Sequence, residues 1–126
     1  MKKAIKIVAL IFTLSLGITT TVNAATAIKY EGYGIRGIQS VKSWNTSSRT
    51  RYTVHHNQKP LPGSGSVGFK VSVVNRVWIG AKTYASSIYY GETSGSFSVD
   101  LNPGTYGLYF NTTSSGVYDI WGSVTY

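Results

Sequence analysis

In the stretch SVGFKVSVV, residues 66–74, an apolar side chain recurs at every second position: Val67, Phe69, Val71 and Val73 alternate with Gly68, Lys70 and Ser72. Successive side chains point to opposite faces in an extended strand, so a period of two describes a strand with one buried and one wetted face. The alternation returns on both sides of a bend in SFSVDLNPGTYGLYF, residues 96–110. Phe97, Val99 and Leu101 share one side of the first arm, and Tyr106, Leu108 and Phe110 share one side of the second. These six are expected core residues. Ser96, Ser98 and Asp100 take the other side, with Thr105, Gly107 and Tyr109, which makes Tyr109 an outward aromatic. The bend NPGT has Pro103 and Gly104 at the central positions, as a type II turn requires. A tight hairpin prefers the mirror-image turns, so the alternative is that the two arms cross between sheets.

The rest of the chain repeats this pattern. In GVYDIWGSVTY, Tyr118, Ile120 and Val124 fall on one side, and Val117, Asp119, Trp121, Ser123 and Thr125 on the other, which turns Trp121 outward. RTRYTVHHN alternates Tyr52 and Val54 against Arg51, Thr53 and His55, and RVWIGAKTYASSIYYGE supplies one or two strands around Trp78, Ile79, Tyr84 and Ile88 to Tyr90. From Ile28 to Lys42 the alternation is weaker and broken by three glycines. Val, Ile, Thr, Tyr, Gly and Ser dominate, and helix formers are scarce. Seven or eight short strands with turn signals about every ten residues predict an all-β fold, a single antiparallel β-sandwich of jelly-roll or Ig-like type. NQKPLPGSGSVG, residues 57–68, reads as the long connection between sheets.

The first 24 residues combine Lys2, Lys3 and Lys6 with an apolar run from Ile7 to Ile18 and a small-residue end at Val22, Asn23 and Ala24. That is the pattern of a secretory signal peptide, with cleavage expected after Ala24 or Ala25. The expected organisation is therefore a leader, 1–24, and one domain, 25–126, secreted and extracellular or held at the cell surface. Without the leader's three lysines, nine Lys and Arg face four Asp and Glu, a balance of +5. The chain has no cysteine, so the exported domain must hold together by packing without disulfides.

The residues GSFSVDLNPGTYGLYF followed by YDIWGSVTY, within 94–126, resemble the closing strands of secreted bacterial β-sandwich accessory domains, the pre-peptidase C-terminal type and jelly-roll carbohydrate-binding modules. The resemblance implies an exported accessory domain that binds something. It carries over no binding residue and no calcium site, since the chain has only Glu31, Glu92, Asp100 and Asp119 as acids.

Catalytic chemistry finds little support. His55 and His56 are adjacent on a strand and point to opposite faces, so they do not converge on one metal, and a zinc site needs three or four ligands. No metal and no cofactor are expected. Asp100 and Asp119 both project outward, and on strands two apart they would stand about 9.6 Å from one another, within range of a glycosidase pair but with no cleft behind them. The chain is read as noncatalytic.

Ten Tyr, three Trp and the three Phe outside the leader exceed what a core this size needs. The outward ones, Tyr109 and Trp121 with Tyr89 or Tyr90, would form a flat patch on which the C–H faces of sugars can lie. Lys42, Arg49 and Arg51 gather around Trp44 and add positive charge, which attracts anionic polymers in general. The expected function is a secreted protein that attaches to an envelope or extracellular polymer, a glycan or teichoic acid, through these aromatic and basic side chains. Nucleic acid is a poor match for an exported chain without a binding motif. Two other classes fit the composition: a cationic bacteriocin-like toxin acting at a membrane surface, and a self-assembling matrix protein joined through exposed strand edges.

Overall fold

A computed structural model describes residues 25–64, 67–76, 81–113 and 115–126, with Val41 described by its backbone alone. The expected leader, and Trp78 and Ile79, lie outside these residues. The described chain forms eight strands: β1 (Thr26–Ile35), β2 (Gly37–Thr46), β3 (Thr50–Pro60), β4 (Gly68–Asn75), β5 (Thr83–Tyr90), β6 (Thr93–Leu101), β7 (Gly104–Thr112) and β8 (Tyr118–Thr125). They make two four-stranded antiparallel sheets, one in the order β1-β8-β3-β6 and the other β2-β7-β4-β5.

That order has a simple origin. β1 pairs with β8, β2 with β7, β3 with β6 and β4 with β5, as in one long hairpin ribbon. Rolling the ribbon up brings β3 against β8 and β4 against β7, which closes the two sheets. This is the jelly roll, and it resolves the choice between jelly-roll and Ig-like sandwiches. Every connection except β4 to β5 therefore passes from one sheet to the other.

The alternation of apolar residues decides which faces meet. Tyr52 and Val54 of β3, Phe69, Val71 and Val73 of β4, Leu108 and Phe110 of β7, and Tyr118, Ile120 and Val124 of β8 are all buried in one core, with Phe97 and Val99 packed at its margin. At an exposed-to-buried transfer of about 2 kcal/mol per large apolar side chain, this layer is the main force holding a cysteine-free domain together.

Three local expectations are corrected. NPGT is not a type II turn but the crossing between sheets that stood as its alternative: Gly104 has a near-extended φ of 159°, not the φ near +80° of a type II turn, and Tyr106 donates its hydroxyl to the Asn102 carbonyl at 2.5 Å. The inter-sheet loop is shorter than 57–68, because β3 keeps its pairing with β8 through Pro60. Trp44 is not a surface residue. It is 5% exposed, wedged against the rings of Tyr52 and Tyr106 at centroid distances of 5.6 and 6.2 Å, because it faces the core from β2 opposite Tyr106.

Candidate functional site

The outer face of the β1-β8-β3-β6 sheet carries one large aromatic, Trp121, at its centre. In register, Glu31 of β1 lies on one side of it and Asn57 of β3 on the other, with Ser94 of β6 beyond. These four residues form a row about 14 Å long across the sheet at the usual strand spacing. The next row is Lys29, Ser123, His55 and Ser96. Trp121 is 47% exposed, as its phase on β8 requires.

The polar side chains around it are fixed by one another. Asn57 Nδ2 donates to the Trp121 carbonyl at 3.2 Å, and Ser94 Oγ donates to Asn57 Oδ1 at 2.6 Å. His55 Nε2 and Thr125 Oγ1 share a hydrogen bond of 2.9 Å, as do Thr53 Oγ1 and Ser98 Oγ. The result is an indole set in a pre-ordered layer of hydroxyl and amide groups.

Beside this face, a groove of about 790 Å3 runs along β1 towards the opening between the sheets. Its outer wall includes Lys29, Glu31, Tyr33, Trp121 and Ser123, and its floor includes Tyr30, Ile35, Phe110 and Ile120. Two irregularities shape it. At the end of β1 the register shifts between Gly32 and Ile35, with Gly34 in the left-handed region at φ 64°, where a side chain would be strained. The Gly34 N–H donates to Asp119 Oδ1 at 3.0 Å, and this bulge presents Tyr33 to solvent, where its hydroxyl bonds the Glu31 carboxylate. That bond raises the Tyr33 phenol above its ordinary pKa. In β2 the register shifts between Gln39 and Ser43. There Ser40 Oγ accepts from the Lys42 N–H at 3.1 Å, and Arg76 donates to the Ser40 carbonyl at 2.6 Å, which holds Lys42 at the groove's far rim.

Of the expected site residues, the groove joins only Trp121 and Lys42. Tyr109 and Tyr90 are exposed on the other sheet's outer face, because β7 and β5 belong to that sheet. Tyr89 turns inward, its ring 5.0 Å from that of His56 and its buried hydroxyl unpartnered. Arg49 and Arg51 sit at the far end of β3 and both bind Asp100, at 3.8 and 3.3 Å, while Arg49 also donates to Asn102 at 2.8 Å. Arg51 is six residues along β3 from the Trp121 row, or about 20 Å. The expected aromatic patch of Tyr109 with Trp121 does not form, and Lys42, Arg49 and Arg51 do not surround an exposed Trp44.

The carboxylates do not form a hydrolytic pair. Asp100 and Asp119 flank β3 on its two sides, opposite Arg51 and Lys59, which are eight residues or about 27 Å apart along the strand. Among the described residues no three His, Asp or Glu cluster as a metal site.

His56 is 1% exposed, fully within the core, whereas His55 is exposed on the outer face. The His56 ring stacks on Phe69 at 5.6 Å. Its Nε2–H donates to Gln58 Oε1 at 3.0 Å, so Nδ1 is left to accept the Tyr30 hydroxyl at 2.8 Å. Gln58 then donates to the Gly91 carbonyl at 2.8 Å. Burial lowers the His56 pKa to about 4, against the weaker opposing effect of the Gln58 bond, and burial raises the Tyr30 phenol. The cluster is closed, neutral and structural, and it anchors β1 beneath the groove.

No protein-family model matches the chain, and no curated protein matches it. Among solved structures, the chain is similar to the carbohydrate-binding module CBM6cm-2 of the Cellvibrio mixtus lichenase 5A, in complex with cellotriose. The TM-score is 0.53 at 10% identity, over 85% of this chain and 98% of that one. It is also similar to a structure described as "CBM4 structure and function", with a TM-score of 0.48 at 11% identity, over 81% of this chain and 77% of that one. At these identities the likeness is one of fold, and the chain is a β-sandwich of the kind seen in the first of these modules.

Proposed function

We propose that this chain is an exported, noncatalytic glycan-binding domain whose site is the Trp121 face and the groove along β1. The observation that carries the proposal is the exposed indole of Trp121, standing in a row with Glu31, Asn57 and Ser94 and opening into a groove walled by Tyr33. A pyranose ring has an apolar C–H face and an equatorial fringe of hydroxyls. Trp121 and Tyr33 offer flat surfaces for the former, while Glu31, Asn57, Ser123 and Gln39 offer donors and acceptors for the latter. Groups already held in place lose little freedom on binding. That a module of similar fold carries cellotriose supports the choice of ligand class.

The test is retention of the purified protein on insoluble peptidoglycan, teichoic-acid-bearing cell walls, cellulose and xylan. Retention on at least one, lost in Trp121→Ala and weakened in Tyr33→Ala, is expected. No retention on any of them, or retention indifferent to Trp121→Ala, would overturn the proposal.

A further inference from the structure

We infer that the outer edge of β5 is a self-association surface, and that its partner is β5 of a second copy of this chain. Among the described residues β5 has a backbone partner on one side only, β4, so a row of its N–H and C=O groups is unpaired. Sheet edges are normally guarded by charge, bulges or proline, since an open edge templates pairing with another strand. Three of the four edges here carry such guards. β1 has Lys29, Glu31 and two register shifts; β2 has Lys42 and a shift at mid-strand; and β6 turns Ser94, Ser96, Ser98 and Asp100 outward.

β5 has no charged residue at all in TYASSIYY, and its one irregularity lies at the Thr83 end. Three of its outward side chains are large and apolar, Tyr84, Ile88 at 43% exposure and Tyr90 at 62%, with the uncharged Ser86 between them. Ile88 and Tyr90 lean over Gly68 of β4, where an added Cβ would come within 2.9 and 3.0 Å of them. Exposed Tyr109, two strands further in, extends the apolar surface.

A second copy fits because the strand is complementary to itself. Antiparallel pairing about a two-fold axis at Ser87 sets Tyr84 opposite Tyr90 of the other copy and Ser86 opposite Ile88, placing aromatic pairs at both ends, with the Lys82 ammonium, 5.1 Å from the Tyr84 ring centroid, at the margin of the join. The join would make one continuous eight-stranded sheet. The groove lies at the opposite edge of the sandwich, between β1 and β2, so both copies keep it open. Two sites on one rigid particle would raise the avidity for a repeating polymer without any new contact to it.

Sedimentation equilibrium of the purified protein, from micromolar to near-millimolar concentration, tests this without any glycan. A monomer–dimer equilibrium is expected. Ile88→Lys, an outward and exposed change, should raise the dimer dissociation constant by about tenfold or more, because it removes an apolar contact at the join and sets two like charges on the diagonal across it. Ser43→Lys on the β2 edge should leave it unchanged. Amide exchange in wild type gives a second readout independent of the variants: residues 83–90 should gain protection as concentration rises, and β2 should not. A protein that stays monomeric throughout, or a dimer that Ile88→Lys leaves intact with no added protection in β5, would overturn the inference.

Discussion

Acidification from pH 7 to 5 tests the buried His56 cluster. In the folded chain His56 has a pKa of about 4, lowered by burial. Unfolded, it returns to about 6.5. Between these values the unfolded chain binds the proton and the folded chain does not, so stability falls as pH drops from about 6.5 to about 4 and then levels off. The full loss is about 3 kcal/mol, and about 2 kcal/mol of it falls between pH 7 and 5, where carboxylates contribute little. The groups packed around the ring are Tyr30, Gln58, Phe69, Tyr89 and Phe110, and none of them carries charge near neutrality to offset a protonated imidazole. Urea unfolding should show the midpoint falling by about 1 M over this interval, given ordinary denaturant sensitivity for a small domain. His55→Gln should keep that slope. His56→Phe should be less stable at pH 7, since it strands the Gln58 amide oxygen, and nearly flat from pH 7 to 5. A wild-type midpoint unchanged between pH 7 and 5 would refute the buried, neutral assignment.

Two further outcomes follow from the same packing. Gly122→Ala should cost more than about 3 kcal/mol in chemical denaturation, because an added Cβ would sit 2.0 Å from the His55 carbonyl oxygen and 2.6 Å from the Tyr30 hydroxyl, and backbone cannot yield. Asp100→Asn, by contrast, should change stability by less than about 1 kcal/mol and lose even that at high salt, because Arg49 and Arg51 meet it on an exposed surface.

The two-residue period identified the core where each strand has one wet and one dry face. Phe69, Leu108, Tyr118 and Val124 lie where their phase put them. The same period turned Tyr109 and Trp121 outward, yet it says nothing of which outside. The two residues look away from each other because β7 and β8 lie in different sheets, and sheet membership depends on long-range pairing that no local pattern records. Trp44 was misplaced because its strand is irregular: with a register shift just before it, its neighbours in sequence do not give its phase. Glu31 and Tyr33 went unseen for a related reason. Lys29 and Glu31 do alternate with Ile28 and Tyr30, but the glycines at 32 and 34 end the pattern at the bulge that exposes Tyr33. The arginines are legible as charge, and only the fold shows that both are engaged by Asp100.

The most direct measurement of the central claim is affinity electrophoresis of wild type, Trp121→Ala and Tyr109→Ala through gels containing soluble cell-wall polysaccharide, xylan or hydroxyethyl cellulose. All three proteins should fold alike, since both side chains face solvent on opposite surfaces of the sandwich. Retardation of wild type and Tyr109→Ala by the same polysaccharide, with Trp121→Ala running free, is the expected result. Equal loss in both variants, or retardation that survives Trp121→Ala, would contradict a glycan site on the β8 face.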